Sequence, residues 1–267
     1  MSRQPTHPPP PPVVQRLRIR YAKRDRMRFT SHRDVARALE RALRRAALPM
    51  AYSAGFTPHP KVSYAGAAPT GVASEAEYLE IGLAEACDPD EVRRALDAAL
   101  PPGLDVVDVV EGAGRGFGDR LDASHWRAEL RGADPAAAAD AVGRFLTLDS
   151  VPVERLTKDG RRTVDARAAL VAAWVEPGAA GPPGAVSCAI LDMVVRHTTP
   201  AVRPDDVMTA LRQAVALSTP VTPLVTRLAQ GLLDDTPSAA GESADHGKDS
   251  VRLLDPLAPD AAEAAPR

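Results

Sequence analysis

The chain has 267 residues, 45% of them hydrophobic, 25% charged and only 4% aromatic, so its core must be built from Ala, Val and Leu. No run approaches the ~20 apolar residues of a membrane helix, and the N-terminal MSRQPTHPPPPPVV lacks the apolar stretch of a secretory signal. A cytoplasmic, soluble protein with no membrane partner is the expectation. The net charge of −2 hides an asymmetry: 13–64 holds thirteen basic residues against three acidic ones, so the remainder carries an excess of twelve negative charges. That split points to a polyanionic partner for the basic part, with an acidic surface of this chain or of another protein as the alternative.

In chain order, 1–12 reads as a disordered Pro-rich tail. Gln15 to Tyr21 alternates as a half-buried strand. Ser31 caps a helix, with Asp34 three positions on as a short variant of the capping box, and Leu48-Pro49 stops it after about Ala47. Lys61 to Ala65 and Glu77 to Leu83 read as strands, Asp88-Pro89 opens a second helix, and Leu104 to Val110 is a strand. The order β-α-β-β-α-β over 13–111 is that of a ferredoxin-like unit.

A Gly-rich linker over 112–124 follows. Its glycines at 112, 114, 116 and 118 miss the G-x-G-x-x-G spacing of a dinucleotide-binding turn, and a hinge is expected instead. The pattern then recurs over 125–233: a strand at His125 to Arg131, a helix from Asp134-Pro135 to about Leu146, and a hairpin of Val151 to Thr157 with Arg162 to Val175 around Lys158-Asp159-Gly160. A strand at Ala185 to Val195, a helix from Arg203-Pro204-Asp205 through Val215 and a strand at Pro223 to Leu232 complete it. The fold expected is α+β, two tandem ferredoxin-like (βαββαβ) units, with 234–267 read as a second disordered tail.

The first helix carries the most information. Arg33, Arg37, Arg41, Arg44 and Arg45 fall within an arc of about 120°, and Val35, Leu39, Ala42, Leu43 and Ala46 lie opposite. Such an arginine face suits bidentate contacts to phosphate, or is an ordinary solvated face. Gly55-Phe56-Thr57-Pro58-His59-Pro60-Lys61 is a second signal, because prolines on both sides of His59 present the imidazole on a stiff loop. With Ser31, His32 and Asp34 at the helix start, His32 and His59 are weak candidates for general acid–base work, against ligand contact or structural hydrogen bonding. No third or fourth ligand is spaced for a metal, and no cofactor is expected. After Gly71, Glu75 and Glu77 alternate with small residues and either hold a cationic group or pair with arginines. Asp165 and Arg167 share a strand face and read as a structural pair, and Arg227 stays ambiguous. No nucleophile set assembles, and the aromatic-rich strands of common RNA-binding sheets are missing.

Phe29-Thr30-Ser31-His32-Arg33-Asp34, Ala42-Leu43-Arg44-Arg45-Ala46, Pro49, Tyr52-Ser53, Gly55-Phe56, Pro58-His59-Pro60-Lys61 and Gly71 through Glu77-Tyr78 together resemble the radical-SAM-linked proteins. These carry a domain of unknown function found beside, or fused behind, cobalamin-binding-type radical SAM proteins. The likeness is dense over about 15–110, looser over about 120–232 and absent from both tails; Arg33 departs from the aliphatic residue of the family pattern. A radical SAM enzyme needs three closely spaced cysteines, and this chain has Cys87 and Cys188 only, 101 positions apart and expected to be buried thiols. The resemblance therefore implies a non-catalytic, substrate-binding partner of a separately encoded radical SAM protein, linked to RNA or the ribosome through the basic unit. The alternatives are an RNA-processing or RNA-modifying enzyme using His59 or His32, and a protein-binding adaptor without nucleic acid.

Overall fold

A computed structural model describes residues 11–114, 116–157, 160–179, 186–234 and 251–264. The fold is mixed α+β, with mostly antiparallel sheet and, among the described residues, six α-helices. None of these helices is long and apolar enough to cross a membrane. The chain divides into two compact units, one formed by the residues up to Gly118 together with those from Leu257 on, the other by Asp119–Pro256.

The first unit runs β1 (Gln15–Lys23), α1 (His32–Arg45), β2 (Val62–Ala65), β3 (Ala73–Leu83), α2 (Pro89–Ala99) and β4 (Leu104–Glu111). Its strands pair antiparallel in the order β4-β1-β3-β2. Strand alternation divides β1 between two environments. Leu17, Ile19 and Tyr21 pack with Leu39 and Leu43 of α1, Leu79, Ile81 and Leu83 of β3, and Val92 and Leu96 of α2. The intervening Arg16, Arg18 and Arg20 therefore point to the face away from the helices. At the start of α1 the Ser31 hydroxyl accepts from the Asp34 N–H at 3.2 Å and donates to the Asp34 carboxylate at 2.7 Å. A cap of this kind contributes about 1 kcal/mol.

Arg18 is wholly buried. Its Nη1 donates to both oxygens of Asp260, at 2.7 and 2.8 Å, and its Nε donates to Glu80 at 3.1 Å. Nη2 reaches the Gly114 carbonyl at 3.2 Å, and the guanidinium lies 5.0 Å from the centre of the Phe117 ring. Asp260 lies on α6 (Ala258–Ala264) and also accepts from the Ala113 N–H at 3.1 Å. A buried arginine is tolerated only when its charge and donors are matched in this way.

The second unit contains β5 (Ala123–Arg131), α3 (Pro135–Leu146), β6 (Pro152–Thr157), β7 (Gly160–Asp165), α4 (Ala166–Ala169), β8 (Leu170–Pro177), β9 (Cys188–Arg196), α5 (Pro204–Val215), β10 (Leu224–Leu233) and β11 (Leu253–Leu254). The order is β10-β5-β9-β8, antiparallel throughout, with β11 added to β10 and β6-β7 forming a separate hairpin. Phe145, Leu130, Met193, Val207 and Leu211 are among its buried side chains.

Three expectations change. The strand expected over Arg162 to Val175 is broken by α4, because Asp165 caps a helix start, accepting from the N–H groups of Arg167 and Ala168 at 3.0 Å each. Within the expected linker 112–124, Phe117–Arg120 form a 3-10 turn whose Phe117 is buried against Arg18 and Tyr78. In the expected tail, 251–264 is ordered: Leu253–Leu254 pair with β10, and Leu257 and Asp260 are each 1% exposed. Residues 1–10, 235–250 and 265–267, the rest of the two expected tails, lie outside the described residues, as do Lys158 and Asp159 of the hairpin turn. Both cysteines are free and half-buried.

Replacing Asp260 by Ala leaves the Arg18 guanidinium short of a carboxylate in a dry site. Urea unfolding should show a loss of about 3–5 kcal/mol. A midpoint within experimental error of the parent would contradict the role given to the pair.

Candidate functional site

Most cations of the basic segment are occupied inside their own unit. Arg16 pairs with Glu80 at 3.2 Å, Arg20 donates to the Glu75 carbonyl at 2.8 Å, and Lys23 reaches the Pro69 carbonyl at 3.3 Å. Arg24 bridges Glu75 and Asp105, and Arg28 donates to the Gly71 carbonyl at 3.2 Å. Glu75 is thus half of an arginine pair rather than a free carboxylate. Glu77 is buried and accepts from the Ala68 N–H at 3.1 Å. Gly71 has φ +93° and ties the segment to Arg28, whose carbonyl accepts its N–H at 2.7 Å.

On α1 the distribution differs. Arg45 donates to the Ala99 carbonyl at the end of α2, at 3.0 Å. Arg37 and Arg44 make only within-helix pairs, with Asp34 at 3.5 Å and Glu40 at 3.9 Å, and both arginines are more than half exposed. Pairs of this exposed kind contribute a few tenths of a kcal/mol and break readily. Arg33 and Arg41 are exposed and have no partner among the described residues. The arginine face therefore survives folding with a surplus of positive charge, at Arg33 and Arg41 above all.

The loop after α1 closes on itself. The Ser53 N–H donates to the His59 carbonyl at 2.8 Å, and the His59 N–H donates to Ser53 Oγ at 3.0 Å. Gly55 sits at φ +134° beside Phe56, which is fully exposed, and Phe29, before α1, is 67% exposed. Burying a Phe side chain is worth about 1.5–3 kcal/mol, and these two phenylalanines are left in solvent.

The two candidate histidines are not brought together. His32 packs edge-on against Tyr64, ring centres 5.1 Å apart, and Tyr64 packs on the core shared with the helices. Burial, with Glu40 nearby, pushes the Tyr64 hydroxyl up to about 12. His59 lies on the other side, lining a groove with Pro60, Lys61 and Ser63, while Pro58 is exposed before it. Ser31 and Asp34 serve as the helix cap. Among the described residues no group of three or more His, Cys, Asp or Glu is placed to hold a metal.

Sequence reading missed a cluster in the second unit. Asp192 on β9 is fully buried, with His125 Nε2 at 2.7 Å from one oxygen and Arg127 Nη2 at 2.9 Å from the other. The Trp174 ring lies 5.3 Å from the His125 ring. Alternation in β5 put His125 and Arg127 on one face, but nothing local announced that Asp192 would register opposite Arg127. Asp165 binds the Arg167 backbone rather than its guanidinium, which donates to the carbonyls of Leu146 and Leu170 at 2.9 and 3.1 Å. Arg227 is buried over the Trp126 ring at 5.2 Å.

The model of a bacterial family described as "Uncharacterized protein conserved in bacteria (DUF2344)" matches residues 16–204. No curated protein matches the chain. Among solved structures, an unknown protein from Galdieria sulphuraria aligns at 13% identity and a TM-score of 0.23, over 80% of this chain and 98% of that one. DyPB from Rhodococcus jostii RHA1 aligns at 15% identity and a TM-score of 0.19, over 77% of this chain and 85% of that one. Likenesses at those TM-scores carry no argument about fold or function.

Burial raises the Asp192 carboxyl, but hydrogen bonds from His125 and Arg127 outweigh that and hold it below the usual carboxylate range. Its contribution to stability is therefore complete above about pH 4 and drains away as pH falls through the lower folded value. Thermal melts from pH 7 to pH 2 should show an acid limb that is flattened in Asp192→Asn, alongside a lower melting temperature at neutral pH. Parallel acid limbs in the two proteins would contradict this.

Proposed function

The chain belongs to this family of uncharacterized bacterial proteins, and from that premise we propose that it is a non-catalytic binding subunit whose α1 face holds single-stranded RNA. The observation that carries the reading is the fate of the basic residues. Folding engages those on the strands with carboxylates and carbonyls and leaves Arg33 and Arg41 unpaired, with Arg37 and Arg44 held only loosely, along one side of a single helix. Phosphates supply the complementary array of charge, and the exposed Phe29 and Phe56 offer the stacking surfaces that the sheet does not. The general acid–base alternative draws no support from the separation of His32 and His59.

The motif series from Phe29 to Tyr78, with its resemblance to radical-SAM-linked proteins, supports a division of labour in which this subunit presents substrate to a separately encoded radical SAM enzyme. We read each unit as ferredoxin-like. Supporting this are the strand orders β4-β1-β3-β2 and β10-β5-β9-β8, which have the same connectivity once the β6-β7 hairpin and α4 are taken as an insertion.

Fluorescence anisotropy with a labelled single-stranded RNA, repeated across salt concentrations, tests the central point. Removing two phosphate contacts with Arg33→Gln and Arg41→Gln should flatten the slope of log K against log salt by about 1.4, at ~0.7 per contact, and lower affinity several-fold. Phe56→Ala should weaken binding without changing that slope. A double variant with the parent's affinity and slope would overturn the reading, and a parent that binds no RNA would turn the face over to an acidic protein partner.

A further inference from the structure

A groove crosses the first unit's sheet on the face away from the helices. It has two lobes, of about 340 and 300 Å³, that meet over Arg16, Ser63 and Glu80. Strand register builds the junction: Ser63 of β2 sits opposite Glu80 of β3, and Arg16 of β1 sits opposite Gly82. One lobe continues to Ser53, His59 and Lys61, the other to Tyr64, Phe117 and the glycines 114, 116 and 118. Each is of the size that takes a small organic ligand.

The two ends differ in chemistry. Glu80 is engaged by both Arg16, at 3.2 Å, and Arg18, at 3.1 Å, and with Asp260 also on Arg18 the two cations and two carboxylates balance. Lys61 is exposed with no side-chain partner among the described residues, and His59 stands beside it. Ser53 Oγ accepts from the His59 N–H, which leaves its own proton free to donate. A lysine, an arginine fork and two hydroxyls thus converge on one end as donors, with the Lys61 charge unneutralised, and the other end is walled by the Phe117 ring and bare backbone. Gly82 is closely packed at this end: a Cβ there would lie 3.1 Å from the Val13 side chain and 3.4 Å from Lys61 Cβ. Its φ lies outside the left-handed region, so space rather than backbone conformation is what calls for glycine.

We propose that this groove binds an organic phosphate of mononucleotide size. The phosphoryl group lies on Lys61 and Arg16 with the hydroxyls of Ser53 and Ser63, and the ring system lies in the lobe walled by Phe117 and the glycine backbone. A phosphoryl group fits this end because its several oxygens can accept from donors arriving from different directions. The site stands on the opposite face of the sheet from α1 and does not depend on Arg33 or Arg41. The same chemistry is offered by a free nucleoside monophosphate and by the 5′-phosphorylated end of an RNA.

Isothermal titration of the full-length chain with the four nucleoside 5′-monophosphates, the matching nucleosides, and oligonucleotides carrying a 5′-phosphate or a 5′-hydroxyl tests the proposal. Phosphate-bearing ligands should bind at least about tenfold more tightly than their hydroxyl counterparts. Lys61→Gln and Gly82→Val should each remove that preference, with melting temperatures checking that the variants fold; should Gly82→Val not fold, Lys61→Gln alone decides. Binding of the monophosphates identifies a free-nucleotide site, and preference for the phosphorylated oligonucleotide alone identifies a strand end. The Arg33→Gln, Arg41→Gln double variant should keep the phosphate preference whether or not it still binds RNA, which separates this site from the α1 face. Equal binding of phosphorylated and unphosphorylated ligands, or an unchanged preference in Lys61→Gln, would overturn it.

Discussion

A guanidinium without water organises the first unit. Arg18 sits mid-strand on a face that would ordinarily be solvated, and the chain has closed over it. Its charge has to be answered from within, and the answer comes from three directions: Glu80 on the neighbouring strand, the Gly114 carbonyl with the Phe117 ring after β4, and Asp260 on the last helix. Each of those partners is then fixed by its own duty. The glycine-rich stretch supplies the Gly114 carbonyl, and α6 becomes part of a unit that otherwise ends at Gly118. A buried ion pair of this kind is weak evidence for net stability, because well-packed apolar residues can do as well. What it supplies is a requirement that distant segments be present together.

The same interaction reassigns the charge asymmetry. The excess of positive charge over 13–64 counts strand and helix arginines alike, yet they meet different fates. Those on β1 alternate onto a face furnished with Glu80, Asp260 and backbone carbonyls and are matched there. Those on α1 face outward, where, apart from Arg45 on the Ala99 carbonyl, only neighbours on the same helix reach them. The positive surface that remains is therefore narrower than the sequence total implies, and it lies on one element. The groove on the other face has a separate logic, since its positive character comes from Lys61, while Arg16 and Arg18 are balanced by Glu80 and Asp260.

Local signals in the sequence were read faithfully by the fold. Ser31, Asp88-Pro89 and Asp134-Pro135 each start a helix where side-chain oxygen and fixed proline φ make one favourable. The amphipathic arc of α1 buries the five positions Val35, Ala38, Leu39, Ala42 and Leu43. What escaped was long-range. Asp260 lies 242 positions from Arg18, in a stretch whose alanines, prolines and charges carry no period. Asp192 meets His125 and Arg127 only through strand register. The break at α4 was locally encoded, since Asp165 precedes Ala-Arg-Ala-Ala, but the β-branched residues on either side masked it. Of the site residues, the arginines, the His59 loop and the Ser31–Asp34 cap were visible as patterns, and arginine pairing was one of the two readings of Glu75. That Arg45 would be spent on the Ala99 carbonyl and Glu77 on the Ala68 N–H was not visible.

Residue-resolved modification of the native protein with an arginine-selective dicarbonyl reagent, with and without RNA, addresses this division of the charge most directly. Arg18 should stay unmodified until the protein unfolds, whereas Arg33 and Arg41 should react rapidly and become protected when RNA is added. Modification of Arg18 at the rate of Arg33, or reactivity of Arg33 and Arg41 indifferent to RNA, would contradict it.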